Sequence, residues 1–152
     1  MHKFLVLSLL MLIFFGCSFN KNTQNEGSKY LQGIWLEASV SQNNDLIEYK
    51  QHQFKFIRDS FYLVLNNFSK ANFAQDTCYK NGKWTEYVKG VYSVNRDTIV
   101  LKGAYVSKTF RLKKSPCYTT GNFEQTLLYQ SKSDSVLVLK SFTNGKMVFK
   151  LK

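Results

Sequence analysis

The sequence contains few of the side chains that carry catalysis or bind metals. It has two histidines, His2 and His52, and ten acidic residues among 152 positions. A lone histidine in the body of the chain has neither a second metal ligand at regular spacing nor an activating partner, which argues against zinc sites and catalytic triads. Glycine-rich loops of the P-loop or dinucleotide-binding kind are also missing. We therefore expect no catalytic residue, no metal and no cofactor.

Carboxylates that could face a cavity are limited to Glu37 and Glu86, because Asp59, Asp97 and Asp134 stand at predicted turns. A pair of carboxylates that works in acid–base catalysis needs a separation that sequence cannot give. We interpret Glu37 and Glu86 as residues of an exposed barrel face. A cluster of two titratable groups inside a cavity would instead favour an enzyme.

A long apolar run occurs only near the N-terminus. His2 and Lys3 precede an almost continuously apolar segment, residues 4–15, which Gly16 and Cys17 follow. A positive start, an apolar stretch too short to span a bilayer and a small residue before the cleavage point are typical of an export signal. We predict that residues 1–16 are a signal peptide that is removed.

The segment Phe14-Phe15-Gly16-Cys17 resembles the lipobox of bacterial lipoproteins, whose cysteine is acylated after cleavage. The resemblance implies acyl chains such as palmitate on Cys17, and two or more chains anchor a protein stably to a membrane. An ordinary signal peptide with a chance cysteine and an uncleaved anchor are the alternatives. Residues 17–29 are then a polar, flexible tether. Because Ser18 is not the aspartate that retains some lipoproteins at an inner membrane, we expect the outer membrane, with the domain facing the periplasm.

Basic residues outnumber acidic ones by 21 to 10, a formal net charge of +11 that becomes about +10 when Lys3 is removed. The basic residues are scattered, and no run is longer than Lys113-Lys114. Nucleic-acid binding would need a clustered basic stripe and a cytoplasmic location. We therefore expect no nucleic acid, and an anionic membrane surface as the neighbour.

The apolar pattern beyond Tyr30 has a period of two. Phe61, Leu63 and Leu65 alternate with Ser60, Tyr62 and Val64, and similar runs recur along the chain between turn sequences such as Asn144-Gly145. Strict alternation is typical of strands with one buried face, and Asn-Gly favours hairpins. About eight antiparallel strands over residues 30–152 predict an all-β, up-and-down barrel, because closure removes the bare sheet edges. A β-sandwich is the alternative.

Gly33-Ile34-Trp35 lies at the start of the first predicted strand and resembles the Gly-x-Trp signature of lipocalins. Residues 30–152 as a whole are similar to the short lipocalin-like lipoproteins of bacteria. The resemblance implies a cup for a small apolar ligand. It also implies that Trp35 closes one barrel end by packing beneath a basic residue of the last strand, for which Lys150 is the candidate.

Acylation of Cys17 leaves Cys78 and Cys117 as a pair in an oxidising compartment. We predict a disulfide between them, which would close a loop of about 40 residues and contribute about 3–4 kcal/mol. Two buried free thiols are the alternative. Four aromatic residues near these cysteines are a candidate ligand platform, although core packing and cross-strand pairing explain them as well. They are Tyr79, Trp84, Tyr87 and Tyr118.

These features predict a monomeric, non-enzymatic envelope lipoprotein that binds a small apolar ligand or an envelope component. The alternative is a protein-interaction module such as a periplasmic hydrolase inhibitor, and an enzyme of unknown type comes third. A cavity of about 300 Å³ or more would favour ligand binding, and a filled interior would favour the alternative. The chain departs from both classes of fumarate hydratase: the Gly-Ser-Ser-x-Met-Pro loop is missing, and Cys78 and Cys117 are too few for the cysteines of an iron–sulfur cluster.

Overall fold

The computed structural model describes residues 25–38, 46–71, 78–79, 81–113 and 119–152. The predicted signal peptide, residues 1–16, and Cys17 lie outside them. The described residues form eight strands and no helix long and apolar enough to cross a membrane. The strands are β1 (Gly33–Glu37), β2 (Glu48–Ile57), β3 (Ser60–Ser69), β4 (Lys83–Asn95), β5 (Thr98–Val106), β6 (Asn122–Lys132), β7 (Val136–Ser141) and β8 (Gly145–Leu151).

Each strand pairs antiparallel with its neighbour in sequence, and β1 also pairs with β8. The sheet is therefore a closed up-and-down barrel of eight strands, consistent with a lipocalin-like barrel. This confirms the predicted fold class over the β-sandwich alternative. The hairpin connections β2–β3, β4–β5 and β6–β7 lie at one end, which we call the base. The other four connections lie at the opposite end, which we call the mouth.

Apolar side chains at alternating positions fill the part of the barrel nearest the base. On β3, Phe61 and Leu63 are fully buried, whereas Tyr62 between them is half-buried on the outer face. The same alternation on the other strands builds one apolar core. Its fully buried large side chains are Leu31, Trp35, Phe54, Phe56, Phe61, Leu63, Ile99, Leu101, Leu127, Leu137, Leu139 and Phe149.

The base is covered by residues 25–32, which we call the strap. The two N–H groups of Gln32 Nε2 are shared among three acceptors, the carbonyl oxygens of Ser28 and Arg58 and the Tyr92 hydroxyl, while Gln32 Oε1 accepts a hydrogen bond from the Arg58 N–H. Gly27 lies so close that a Cβ there would be 1.8 Å from the Arg58 carbonyl oxygen. Residues 25–29, the last part of the predicted tether, are therefore bonded to the base rather than separate from it.

Trp35 lies above the strap, and its indole Nε1 donates to the Leu31 carbonyl oxygen at 2.7 Å. The cation near its ring is Lys132 at the end of β6, whose Nζ lies 6.0 Å from the ring centroid. The prediction of Lys150 for this position is wrong. Phe149 points into the barrel, so the alternation of β8 directs the exposed Lys150 outward.

Candidate functional site at the barrel mouth

The barrel interior changes from apolar to polar toward the mouth. Glu37, His52, Asn67, Glu86 and Ser141 are all buried, and each is an inward position near the mouth end of its strand. Trp35 and Val88 fix the inward parity of β1 and β4, so Glu37 and Glu86, two residues away, must face the same way. The interpretation of Glu37 and Glu86 as exposed residues is therefore wrong.

Glu37 and His52 form a buried pair. The His52 Nδ1 atom lies 2.7 Å from Glu37 Oε2, and the same oxygen accepts the His52 backbone N–H at 2.8 Å. His52 is 3% exposed and Glu37 7%. The expectation that His52 has no activating partner is wrong, because the β1–β2 register brings together two residues that are 15 positions apart.

The pair fixes the orientation of the imidazole. Because Nδ1 is held by the carboxylate, Nε2 is the ring nitrogen left to interact with other groups. Its neighbour is Asn144 Nδ2 in the β7–β8 turn, at 3.4 Å, a long distance for a hydrogen bond. His52 can thus offer a fixed Nε2 to a bound molecule after a small movement of Asn144.

A cavity of about 380 Å³ lies at this position, and we call it the His52 cavity. One wall carries Tyr105 and Phe123, whose rings meet edge to face with centroids 5.7 Å apart. Residues of the strands and of the β7–β8 turn, most of them polar or charged, complete the lining. Besides the two aromatic residues and His52, the lining residues are Lys50, Leu65, Glu124, Gln125, Thr126, Ser141, Phe142, Thr143 and Asn144.

A second cavity, of about 430 Å³, adjoins the first through Lys50 and Asn144, and we call it the aromatic cavity. Tyr79 and Trp84 line it with their rings edge to face, 4.8 Å between centroids and 84° between planes. The remaining lining residues are Glu48, Tyr49, Asn67 and Phe68.

The four residues of the candidate platform are only partly brought together. Tyr79 and Trp84 are in contact, but Tyr87 lies on the outer face of β4, because Glu86 points inward, and its ring meets Phe110 at 5.8 Å. Tyr87 and Trp84 share a further concavity of about 480 Å³. Tyr118 lies outside the described residues.

Glu86 holds the connection between β5 and β6 against the barrel wall. Its Oε1 accepts the Thr119 N–H at 2.7 Å, and the Lys113 ammonium donates to the Thr119 carbonyl oxygen at 2.8 Å. Burial raises the pKa of Tyr105, and the charge of Glu86 adds to that rise. Burial lowers the pKa of Lys113, while Glu86 opposes the change. These bonds give Glu86 a structural role at the rim.

Comparison with known proteins gives no family. No protein-family model, curated protein or solved structure matches the chain. Within the described ranges, no group of three or more His, Cys, Asp and Glu side chains is placed to hold a metal ion.

Proposed function

We propose that the protein is a membrane-tethered envelope binding module whose ligand site is the barrel mouth. The observation that carries the proposal is the buried Glu37–His52 pair, which directs Nε2 to the His52 cavity. A buried, hydrogen-bonded polar pair is often no more stabilising than an apolar pair of similar volume, so such a pair contributes little to fold stability. Its place beside a cavity favours a role in recognition.

The lining of the His52 cavity defines the chemistry of the ligand. Core side chains fill the part of the barrel nearest the base. The space left for a ligand is therefore at the mouth rather than in a deep apolar cup. Tyr105 and Phe123 offer an apolar wall, and His52, Gln125 and Thr143 offer polar groups on the other sides. We propose a small amphipathic molecule with an apolar body and a hydroxyl or amine donor that bonds to His52 Nε2.

The proposed lipid anchor on Cys17 would join the barrel at the base, through the strap. Asn25, the first described residue, bonds to Asp59 at the base turn. At about 3.5 Å per extended residue, the chain from Cys17 to Asn25 reaches at most about 28 Å. The base would therefore stay near the outer membrane, and the mouth at the other end would take its ligand from the periplasm.

A Cys78–Cys117 disulfide forms part of the proposal. Cys78 lies in the β3–β4 connection, and Cys117 falls in the β5–β6 connection, outside the described residues. Both connections belong to the mouth end, so a bridge would tie two neighbouring parts of the rim. We expect that alkylation without reduction leaves the masses of both cysteines unchanged.

Native mass spectrometry of protein extracted from its own host tests the ligand. We expect a reproducible small molecule on the wild type that is lost from His52→Gln. The matched control is Gln53→Ala, since Gln53 is the next residue of β2 and faces outward. A wild-type protein that reproducibly carries no small molecule, or a His52→Gln variant that retains it fully, would contradict the proposal.

A protein-interaction module, such as an envelope hydrolase inhibitor, is the second candidate. Large apolar side chains are exposed on the connections at the mouth: Ile47 is 70% exposed, Phe142 75% and Leu112 82%. Such residues mark interaction surfaces when they are contiguous. Ile47→Ser and Leu112→Ser together, at residues that do not line the His52 cavity, would then abolish capture of an envelope protein without changing small-molecule copurification.

Catalysis is the third candidate, because Glu37 and His52 are a cluster of two titratable groups beside a cavity. A carboxylate that orients a histidine is part of many acid–base sites. We propose binding instead, since the described residues at the mouth include no nucleophile bonded to His52 Nε2. Turnover of the copurified molecule that is lost in Glu37→Gln would favour the enzyme.

A further inference from the structure

One buried polar atom beside the aromatic cavity has no hydrogen-bond partner among the described residues. Asn67, an inward residue of β3, is 2% exposed and lines this cavity. Its Oδ1 atom is buried and accepts no hydrogen bond from any of the described residues. Buried acceptors without a partner are rare in folded proteins, so the atom calls for an explanation.

The amide orientation of Asn67 is fixed by its other end. Nδ2 donates to the Leu65 carbonyl oxygen at 3.2 Å and lies 3.5 Å from that of Trp84. A flipped amide would place its oxygen against these two carbonyl oxygens, which repel it. Asn67 therefore presents a fixed acceptor whose natural partner is an N–H or O–H donor.

The neighbouring wall is aromatic. Trp84 and Tyr79 line the same cavity as Asn67, and their perpendicular rings form a corner. Aromatic side chains bind planar rings by stacked or edge-to-face contacts, with ring centroids about 4.5–7 Å apart. The corner and the acceptor together fit a flat ring that carries a donor.

We infer that the aromatic cavity is a binding site for a planar aromatic ring bearing an N–H or O–H group. The ring packs against Trp84 and Tyr79, and the donor bonds to Asn67 Oδ1 after a small movement of the neighbouring side chains exposes that buried oxygen. The inference deepens the proposed function and rests on it in placing the ligand at the mouth, where Lys50 and Asn144 are shared with the His52 cavity. It names a ligand class, the indoles and phenols, for this part of the mouth.

Indole and 1-methylindole test the inference, because they differ only at the ring nitrogen, where a methyl group replaces the N–H donor. The chain has two tryptophans, so the ¹⁵N-labelled mature protein gives two indole resonances. Trp35, bonded to Leu31 in the core, is the internal reference. We expect indole to shift the Trp84 resonance but not that of Trp35, and 1-methylindole to bind at least about fivefold more weakly.

Asn67→Leu should reduce the affinity for indole to that for 1-methylindole. Asn66→Leu is the matched control, because Asn66 is adjacent and bonds to Thr85 on the outer face. Methylation removes the same hydrogen bond from the ligand side, so the test holds even if Asn67→Leu does not fold. Equal affinities of the wild type for the two indoles, or no shift of Trp84, would overturn the inference.

The outcomes separate this inference from the proposed function. Discrimination between the two indoles by a protein that carries no ligand from its host would uphold the aromatic site and contradict the proposed function. Equal binding of the two indoles, by a protein whose host ligand is lost in His52→Gln, would do the reverse.

Discussion

Glu37 and His52 lie inside the barrel, and each side chain is the main hydrogen-bond partner of the other. One carboxylate oxygen bonds to both the ring and the backbone of the histidine, at 2.7 and 2.8 Å. Removal of either partner leaves a buried polar group without its main hydrogen bond, whereas removal of both leaves an apolar pair. The stabilities of single and double variants should therefore be strongly coupled.

We predict that Glu37→Leu and His52→Leu each lower the free energy of unfolding by about 3 kcal/mol, and that the double variant loses about 1 kcal/mol or less. Urea denaturation at neutral pH measures the cycle. Glu124→Ala is the control: its bond to Lys102 is exposed, so its removal should change stability by less than about 0.5 kcal/mol. Additive losses for the two leucine variants would contradict the coupling.

Tyr92 links the strap to the base through its hydroxyl group. Its hydroxyl donates to the Arg58 carbonyl oxygen at 2.6 Å and accepts the Ser28 N–H at 2.9 Å. Burial raises the pKa of Tyr92 above its ordinary value of 10.0, although the hydrogen bonds from Ser28 and Gln32 oppose the rise. The folded state thus holds this proton to higher pH than the unfolded state does.

We predict a loss of stability with a defined sign at alkaline pH. The contribution of Tyr92 is fully present below pH 10 and is lost as the pH rises from 10 through the raised pKa. Tyr92→Phe should cost about 1–3 kcal/mol at pH 8, and its unfolding free energy should fall less steeply between pH 9 and 11 than that of the wild type. Parallel pH profiles from urea denaturation would show that Tyr92 does not titrate this way.

Strands β4 and β5 approach each other closely at a pair of glycines. Gly90 and Gly103 are cross-strand partners. A Cβ on Gly90 would lie 2.1 Å from the Lys102 carbonyl oxygen and 2.5 Å from the Gly103 Cα atom. These obstacles are backbone atoms, which move only if the two strands separate.

We predict that Gly90→Ala lowers the free energy of unfolding by about 2 kcal/mol or more, as overpacking does. Val91→Ala is the control on the same strand, because Val91 is 55% exposed and should change stability by about 0.5 kcal/mol or less. Chemical denaturation of the two variants measures the difference. Equal stabilities would mean that the strands can separate here without loss.

Local sequence patterns predict the strands of this barrel but not every contact between them. Alternation in runs such as Phe61-x-Leu63-x-Leu65 predicts the strands, and their number predicts closure of the barrel, because both are local or additive features. The Glu37–His52 pair is not local: it depends on the register of β1 and β2 across a connection that sequence does not fix. Extending the inward parity from Trp35 to Glu37, and from Phe54 back to His52, would have placed both residues inside. Their contact still required the register.

Lys132 near Trp35 illustrates the same limit. The family resemblance suggests a basic residue from the last strand, and Lys150 has the right charge. Its neighbour Phe149 occupies the inward position, however, and the end of β6 supplies the cation from a strand that is distant in sequence. Which residue meets another across a closed barrel follows from strand stagger, which a linear pattern does not contain.

The strap and the mouth lie at opposite ends of the barrel. If Cys17 carries the lipid, the anchor holds the base near the membrane and leaves the mouth free. In that case the proposed binding site would face away from the membrane and would take its ligand from the periplasm.

We predict that Cys17→Ser abolishes lipidation, so that the protein either appears in the soluble fraction or accumulates at its unprocessed size. Fractionation of host cells with immunoblotting measures both. Replacement of the neighbouring Ser18 by Ala, which leaves the acylated residue in place, is the control and should remain in the membrane fraction. A Cys17→Ser protein of mature size that still fractionates with membranes would contradict the anchor.

The most direct test of the mouth as a ligand site observes His52 itself. His52 is the one histidine beyond the predicted signal peptide, so ¹⁵N-histidine labelling of the mature protein reports on this side chain alone. Titration with small-molecule extract from the host envelope should shift the Nε2 resonance strongly and the Nδ1 resonance, held by Glu37, only weakly. If neither nitrogen responds to any fraction of the extract, the mouth does not bind a host ligand through His52.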